Sequence, residues 1–458
     1  MVYHWGLQQS SFTNFLASST NNPMLALKPI NLTKLHSPLF GCMPIFTLCL
    51  VLISFVGNLS SLHCKPMISL GVDFLEQRKF DLLKGKRVGL LTHPAGRNSS
   101  GKSTVVVFND SPHVNLVALF GPEHGIYGDE KASVPVEDKI DHRTGLPVYS
   151  LYGKYRKPSK SMLSNLDCLV VDLQDVGVRC YTYISCMKYV MESCFAEGVE
   201  VVILDRPNPL GGVKVAGPMI DLEWISYVGA FPIPFVHGLT IAEIALWAKK
   251  TRGVLNVDDH VRKRGKLSIV PMMGWSREMT WPQTGLDWFP TSPNIPHLDA
   301  VAGYPMTGLG AQLGKFKHGI GTEHPFRFLS YEGKSAQELK KALDQSGLDG
   351  LNFRIKKLKT SSGDYLSGVY VVITDWKKWS PTKLAFVMMQ LTALWERPNP
   401  FLSAKKSDVT LFNKHVGSSD WWNYLVNAGK DVRIDPFIKT WKEESAEFSN
   451  SVSRYRLY

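Results

Sequence analysis

The first 64 residues contain no aspartate, glutamate or arginine, and their only lysines are Lys28 and Lys34. The segment also lacks an apolar run of the roughly 20 residues that cross a bilayer. Its longest apolar run, residues 45–56, has the length of a signal-peptide core, and small residues follow it. We therefore expect residues 1–65 to form a leader that directs the chain to the periplasm or out of the cell. An uncleaved membrane anchor is the alternative.

Cysteine is scarce after this leader. Only four cysteines remain, and none belongs to a CxxC pair or has a histidine at zinc-ligand spacing. A zinc site and a disulfide framework are therefore not expected, and no other metal site is indicated. We predict that all four are small, buried apolar side chains. They are Cys168, Cys180, Cys186 and Cys194.

The chain has 458 residues, of which 44% are hydrophobic and 20% are charged. It is long enough for a large core in two domains, and it shows no internal repeat. The formal net charge is +12, and such an excess can indicate a nucleic acid or another anionic partner. The basic residues are dispersed, however, and the densest runs, residues 154–160 and 262–266, are typical of solvated loops. We therefore expect no nucleic-acid partner.

Four short apolar runs lie in the first half of the chain, and each ends in a polar cluster. Such runs are typical of parallel strands that are buried on both faces of a sheet. Helical patterns separate the runs, which favours an α/β domain with a parallel sheet over residues 66–253. The carboxyl ends of parallel strands share one edge of the sheet, where ligands bind. The clusters therefore predict a single site made of residues 92–94, 121–125, 172–177 and 205–209.

The pattern changes after residue 253. Thr240 and Glu243 form a capping box that begins the helix leading into the second half. Three tryptophans then lie among prolines, which predicts a long ordered loop; they are Trp275, Trp281 and Trp288. The periodicity beyond this loop predicts a helix over 335–343, strands over 353–358 and 368–374, and a helix over 381–396. Residues 254–458 are therefore expected to form a second, α+β domain.

Residues 96–103, Gly-Arg-Asn-Ser-Ser-Gly-Lys-Ser, match the phosphate-binding pattern GxxxxGK[ST] and follow a predicted strand. Asp172, at the end of another strand, could be the magnesium-binding partner of such a loop. The pattern should open a helix, but residues 104–108 are mostly β-branched and are expected not to be helical. We interpret residues 96–103 as an exposed turn and keep a P-loop NTPase as an alternative.

Glu123 and His124 lie in the second polar cluster, Gly-Pro-Glu-His-Gly. Proline and glycine permit a tight turn, so a desolvated carboxyl beside an imidazole could act as a general acid or base. A carboxylate that caps a helix would show the same pattern. The third cluster combines several polar groups with a tyrosine, which suits either a sugar ligand or a salt-bridged loop. Its members are Asp172, Gln174, Asp175, Arg179 and Tyr181.

The remaining candidates each have a binding and a packing interpretation. Arg206 could bind a ligand carboxylate or form an internal pair with an aspartate. His237 could face the site or pack beneath it, and Trp288 could stack on a sugar ring or pack within its loop. Asn208 and Asn294 lie in the motifs Asp-Arg-Pro-Asn-Pro and Ser-Pro-Asn.

Taken in order, these motifs resemble one family. Five of them are similar to motifs of exo-β-N-acetylmuramidases of the NamZ type. They are Gly-Pro-Glu-His-Gly, Asp-Leu-Gln-Asp-Val-Gly-Val-Arg-Cys-Tyr-Thr-Tyr, Leu-Asp-Arg-Pro-Asn-Pro-Leu-Gly-Gly, His-Gly-Leu-Thr and Ser-Pro-Asn. The similarity extends from about residue 69 to residue 458. The resemblance implies a Rossmann-like N-terminal domain, an α+β C-terminal domain and a cleft between them.

The resemblance also implies hydrolysis of terminal N-acetylmuramic acid from the non-reducing end of peptidoglycan fragments, without a nucleotide or redox cofactor. The family's glutamate falls on Glu123, which would be the general acid. A second carboxyl group is usual in glycoside cleavage; it would be Asp175 or Asp172, or none if the acetamido oxygen of the substrate attacks. Arg179 or Arg206 would pair with the lactyl carboxylate of muramic acid. A membrane would be contacted only through an uncleaved leader.

The resemblance breaks after Tyr304-Pro-Met-Thr307. Family members commonly carry Glu-Gly-Thr-Asn and then Gly-Arg-Gly-Thr in this region. Residues 308–322 lack the first element, and Ile320 stands where the arginine would be. A relative that binds muropeptides or amino sugars without cleaving them is therefore the alternative function.

Overall fold

The computed structural model of the chain describes residues 68–128, 139–359 and 363–458. The predicted leader lies outside these ranges. A seven-stranded sheet dominates the first half, in the order β3-β4-β2-β1-β5-β6-β7, with β3 antiparallel at one edge and all other neighbours parallel. Its strands are β1 Arg87–Thr92, β2 Asn115–Gly121, β3 Lys139–Ile140, β4 Pro147–Ser150, β5 Cys168–Asp172, β6 Glu200–Leu204 and β7 Leu267–Val270. The predicted α/β class with a parallel sheet is confirmed.

Helices cover both faces of this sheet. The helices of the first half are α1 Gly71–Gln77, α2 Thr104–Asn109, α3 Lys160–Leu163, α4 Thr182–Glu197, α5 Ile241–Lys250 and α6 Asp259–Arg264. Helix α4 ends at Gly198, whose φ of +77° suits a residue without a side chain. Helix α5 begins at the predicted capping box, because the side chain of Thr240 accepts a hydrogen bond from the amide of Glu243. No helix in the described ranges is long and apolar enough to cross a membrane.

The sheet is buried on both faces, which explains its continuous apolar runs. Val88 and Leu90 of β1 pack in a hydrophobic cluster with α1 and α2. Leu91 points to the other face and packs in a larger cluster that contains α4, α5 and the core of the second half. Strand residues with apolar neighbours on both sides gain from burial at every position, so no polar alternation is needed.

The order of the strands creates a topological switch between β1 and β5. The chain runs outward from β1 through β2 to β4, and then returns to place β5 on the other side of β1. Thr92 and Asp172 are in register at the carboxyl ends of these two strands. Loops that leave such a switch in opposite directions open a crevice, which is the usual ligand site of this fold.

The second half is α+β, as predicted. An antiparallel sheet has the order β10-β11-β9-β8, with strands β8 Phe316–Lys317, β9 Phe328–Tyr331, β10 Leu351–Lys359 and β11 Tyr365–Ile373. Its helices are α7 Trp281–Thr284, α8 Leu298–Thr307, α9 Ala336–Asp344, α10 Lys383–Trp395, α11 Lys406–Val416, α12 Ser419–Ala428 and α13 Asp435–Ser451. Strand β7 lies after residue 253 yet belongs to the first sheet, so the division of the two domains at that residue stays a prediction.

Helix α1 ends at Gln77, because Lys79 and Phe80 adopt left-handed φ values of 52° and 53° before a short 3-10 turn. One local expectation was wrong. Residues 104–108 are helical despite their β-branched side chains. Val105, Val107 and Phe108 are buried in the core there, and tertiary packing outweighs the modest propensity penalty.

The four cysteines are free and buried, as predicted. Cys168 lies in β5, and Cys186 and Cys194 lie on α4. Burial raises the pKa of the Cys180 and Cys186 thiols to about 12. They are therefore neutral apolar groups in the folded chain.

Candidate active site

Glu123 lies in a turn directly after β2. The amide of Gly125 donates to the carbonyl of Pro122 over 3.0 Å, and His124 between them has a φ of +73°. Non-glycine residues rarely adopt this conformation, which costs on the order of 1 kcal/mol and is found often at functional sites. The turn holds the half-buried Glu123 carboxylate beside the first residue of α4, where the Thr182 hydroxyl donates to Oε2 over 3.2 Å.

Asp175, three residues after β5, is buried and pairs with His237. Its Oδ2 accepts a hydrogen bond of 2.7 Å from the amide of Gly177 and lies 3.2 Å from His237 Nε2, although the ring is not aligned for a hydrogen bond. His237 Nδ1 accepts from the amide of Leu239. The proton of a neutral His237 ring is therefore on Nε2, facing Asp175. Asp175 Oδ1 has no hydrogen-bond partner among the described residues.

Glu123 and Asp175 come together around two tyrosines. Burial raises the pKa of Tyr181, and the Glu123 and Asp175 carboxylates raise it further. Burial likewise raises the pKa of Tyr304, on which both carboxylates also act. The rings of the two tyrosines lie 6.0 Å apart, edge to face. The loops after β2 and β5 thus bring two carboxylates to one aromatic floor, with Tyr304 supplied by α8 of the second half.

His93, directly after β1, is a site residue that the sequence analysis did not single out. Its Nε2 accepts a 2.9 Å hydrogen bond from the amide of Gln174, and its ring lies 4.7 Å from that of Tyr183. Burial lowers its pKa well below the usual value, and the nearby Arg206 and His124 lower it further. The ring is therefore neutral. The signal was its place in the polar cluster at 92–94.

Asp172 and Arg206 form an internal salt bridge. Arg206 Nε and Nη2 donate to the two Asp172 oxygens over 2.6 and 2.9 Å, and both side chains are almost fully buried. Asp172 Oδ2 also accepts from the Thr104 hydroxyl over 2.5 Å. This is the internal pair that the sequence analysis allowed for Arg206, with Asp172 as its partner, and a contact of either side chain with substrate stays a prediction.

Arg179 is fully buried and holds main-chain carbonyls from three segments. Its guanidinium donates to Pro218, Ile233, His415 and Val416 over 2.7–3.0 Å. The side chain has no exposed surface, and its contact with substrate stays a prediction.

Asn208 is also structural. Its side chain donates to the carbonyl of Leu239 and accepts from the amide of Leu210, which joins the loop after β6 to the start of α5. Its predicted contact with substrate stays a prediction. His237 is likewise enclosed, with 1% exposure; it meets Asp175, and its predicted contact with substrate stays a prediction.

A small cavity opens beside the switch between β1 and β5. Gln174 lies at its base, where its amide nitrogen donates to the carbonyls of Asp175 and Pro207 while Oε1 has no partner among the described residues. Trp288 is half-buried and packs edge to face on Trp281 at 5.0 Å. The main lining residues are Arg97, Gln174, Arg206, Trp281, Trp288 and Phe289. Asn294 is half-buried in the following loop, and its role as a ligand stays a prediction.

Residues 96–103 do not form a phosphate cradle. The amides of Asn98, Ser99, Gly101 and Lys102 donate to protein oxygens, so they are not available to a phosphate. The Lys102 amine pairs with Asp110 on the surface over 3.1 Å. A P-loop needs open amides and a lysine that reaches the ligand, and this turn has neither.

No cluster of three or more histidine, cysteine, aspartate or glutamate side chains in the described ranges is arranged to hold a metal ion. The groups brought together are two carboxylates, a neutral imidazole pair and tyrosine rings. This combination is suited to acid–base chemistry on a ligand with flat apolar faces.

Two family models match successive parts of the chain. The N-terminal model of the exo-β-N-acetylmuramidase NamZ matches residues 88–299, and its C-terminal model matches residues 302–458. The chain belongs to the NamZ family. The first match contains the turn at Glu123, the Asp175–His237 pair and the switch cavity, and the second contains Tyr304.

Individual relatives agree with this assignment. The chain is 37% identical over 399 residues to the peptidoglycan β-N-acetylmuramidase NamZ of Bacillus subtilis, which covers 86% of this chain and 92% of that protein. A crystal structure of a DUF1343 family protein from Bacteroides fragilis matches with a TM-score of 0.77 and 37% identity, covering 86% of this chain and 99% of that one. A second such protein from the same organism matches with a TM-score of 0.63 and 26% identity, over 85% and 99% of the two chains.

Proposed function

We propose that this chain is a glycoside hydrolase that releases terminal N-acetylmuramic acid from peptidoglycan fragments. Membership of the NamZ family supports the reaction class. The observation that carries the proposal is the placement of Glu123 and Asp175 on the loops that follow β2 and β5, at the carboxyl edge of the sheet, where both carboxylates raise the pKa of Tyr181. Two carboxyl groups at one site are what glycoside cleavage usually requires.

In this proposal Glu123 is the general acid that protonates the departing glycosidic oxygen. The Thr182 hydroxyl fixes one carboxylate oxygen, and the strained turn at His124 fixes the direction of approach. Asp175 is the second carboxyl group, because Asp172 is already neutralised by Arg206 and bonded to Thr104. Asp175 acts on water or on the acetamido group of the substrate.

The decisive experiment uses disaccharide muropeptides with N-acetylmuramic acid at the non-reducing end. We expect the full-length chain to release the free amino sugar, detected by its mass. Glu123→Gln should lower kcat by about a hundredfold or more, since a general acid contributes roughly that factor. Glu447→Gln, which removes an exposed carboxylate on α13, is the matched control and should leave kcat unchanged. Full turnover by the Glu123→Gln protein would exclude Glu123 as the acid.

A muropeptide-binding protein without catalysis is the second candidate. It is motivated by residues 308–322, where the Glu-Gly-Thr-Asn element is missing and Ile320 packs against the hydrophobic core. Calorimetry that detects tight muropeptide binding while no sugar is released would favour this candidate over the hydrolase.

Export through the leader is part of the same proposal, because peptidoglycan lies outside the cytoplasmic membrane. The apolar run at residues 45–56 supports it. Fractionation of bacteria that express the full chain should place it in the periplasm or the medium. Retention of the intact chain in the cytoplasm would contradict export.

A further inference from the structure

Arg156 lies at the same edge of the sheet as Glu123. It belongs to the loop that follows β4, the strand beside β2. The amide of Leu151 in this loop donates to the carbonyl of Gly121 over 2.9 Å, two residues before Glu123. The loop is therefore attached to the turn that carries the proposed acid.

Two tyrosine rings contact the Arg156 guanidinium. Its central carbon lies 4.4 Å from the ring centroid of Tyr152 and 4.2 Å from that of Tyr227. The ring centroids are 6.3 Å apart. Contact with two rings restricts a guanidinium without using its N–H donors, so these donors stay available to bind a carboxylate.

The Arg156 side chain is exposed, and within residues 68–128, 139–359 and 363–458 its guanidinium has no hydrogen-bond or salt-bridge partner. Such a cation differs from the two arginines suggested by the sequence. Arg179 is committed to four main-chain carbonyls, and Arg206 is committed to Asp172.

Tyr227 connects Arg156 to the catalytic centre. Burial raises the pKa of Tyr227 well above its usual value, and the charges of Arg156 and Glu123 act on it in opposite directions. Its hydroxyl is buried and has no hydrogen-bond partner among the described residues. One tyrosine thus lies within electrostatic range of both the free cation and the proposed acid.

We propose that Arg156 binds a carboxylate carried by the O3 substituent of muramic acid and thereby determines specificity for muramic acid over N-acetylglucosamine. This inference rests on the proposed function. N-acetylglucosamine has a hydroxyl at O3, so it cannot form the charged contact. The carboxylate has two possible sources: the free lactyl group of a peptide-free sugar, or the stem peptide attached to that group.

The test compares steady-state kinetics of the full-length chain on chromogenic β-N-acetylmuraminide and β-N-acetylglucosaminide. Arg156→Gln should raise KM for the muraminide by about tenfold to a hundredfold, the range expected for a lost charge-assisted hydrogen bond. Its kcat and its KM for the glucosaminide should stay within about twofold of the parent values, because only ground-state binding of the carboxylate is removed. Arg156→Lys should be intermediate, since it keeps the charge but loses the fork.

Arg454→Gln is the matched control, because Arg454 is another exposed arginine that stacks on a tyrosine, Tyr455, at 4.9 Å. Arg454→Gln should leave kcat and KM unchanged for both substrates. A peptide-bearing muraminide separates the two sources: an effect on the peptide-free sugar assigns the lactyl carboxylate, and an effect confined to the peptide-bearing sugar assigns the stem peptide. Unchanged KM and unchanged sugar selectivity in Arg156→Gln would overturn the inference while leaving the hydrolase intact.

If the parent chain cleaves neither sugar, the hydrolase proposal fails and the subsite is tested by binding alone. Calorimetry should then show tighter binding of N-acetylmuramic acid than of N-acetylglucosamine to the parent chain, and loss of that preference in Arg156→Gln. Equal affinity of the parent chain for the two sugars would overturn the subsite as well.

Discussion

His237 Nε2 and Asp175 Oδ2 lie 3.2 Å apart in the buried floor of the site. The imidazole is oriented from its other side by the amide of Leu239. This places one ring nitrogen of His237 in electrostatic contact with the carboxylate, so we assign His237 a positioning role. The other carboxylate oxygen, Asp175 Oδ1, has no hydrogen-bond donor among the described residues.

Substitutions of His237 can distinguish its contact with the amide of Leu239 from its contact with Asp175. In His237→Asn the amide oxygen can replace Nδ1 as acceptor for Leu239, while nothing replaces Nε2. We expect this protein to fold with an unchanged melting temperature and to lose about tenfold in kcat, equivalent to about 1.4 kcal/mol. His237→Gln reaches Asp175 instead and should retain more activity with lower stability. Equal kcat in His237→Asn and the parent would remove the positioning role.

Asp172→Asn should reduce stability more than it affects chemistry. Arg206 would be left as an uncompensated buried cation, which typically costs about 3–5 kcal/mol. Urea denaturation measures this loss. Asp81→Asn breaks an exposed pair with Arg78 and should cost less than about 1 kcal/mol. A stable Asp172→Asn protein with kcat reduced a hundredfold would instead make Asp172 the second catalytic carboxylate.

Arg179→Met should destabilise the chain without changing KM in the molecules that remain folded. Four carbonyls would lose their donor, and each buried unpaired acceptor costs about 1–3 kcal/mol, so a total of at least about 3 kcal/mol is expected. Chemical denaturation and substrate titration on the same samples provide the measurement. A normal unfolding midpoint together with a raised KM would restore Arg179 as a substrate ligand.

Asp205 should make stability depend on pH. Burial raises the pKa of its carboxyl from 3.8 to about 7, against the lowering effect of bonds from Thr240, Ala242 and Tyr458. The folded chain therefore keeps a proton that the unfolded chain releases above pH 4. The stabilising contribution of this proton is complete below about pH 4 and declines as the pH rises to about 7.

Asp205→Asn removes this titration while preserving shape. The difference in unfolding free energy between parent and variant should shift in favour of the variant as the pH rises from 4 to 7. Glu243 and Tyr458 face the same carboxyl and remain in both proteins. Parallel stability curves for the two proteins across this range would show that Asp205 does not titrate there.

Features that are encoded in short stretches of sequence could be predicted from the sequence alone. The strand ends at Thr92, Gly121, Asp172 and Leu204 follow from the apolar runs, because a strand buried on both faces must be apolar throughout. The capping box at Thr240 is likewise a four-residue pattern. The convergence of Glu123 and Asp175 followed from one topological rule about parallel strands.

The hydrogen-bond partners of the buried arginines could not be predicted in this way, because they lie far away in the sequence. Arg206 pairs with a residue 34 positions earlier, and Arg179 binds carbonyls as far as 237 positions away. No local pattern distinguishes these buried arginines from Arg156, which lies in a basic run typical of a solvated loop. The difference depends on Tyr152 of the same loop and on Tyr227, which the fold brings to Arg156 from a separate loop.

Alkylation of the buried free cysteines can report local unfolding of the folded chain. Two of them, Cys186 and Cys194, lie on α4, the helix that also begins beside Glu123. Alkylating reagents attack the thiolate and need access to sulfur, so they modify these side chains only in molecules whose α4 has left the sheet. The increase in the mass of the chain over time therefore measures the rate at which α4, the helix beside Glu123, unfolds locally.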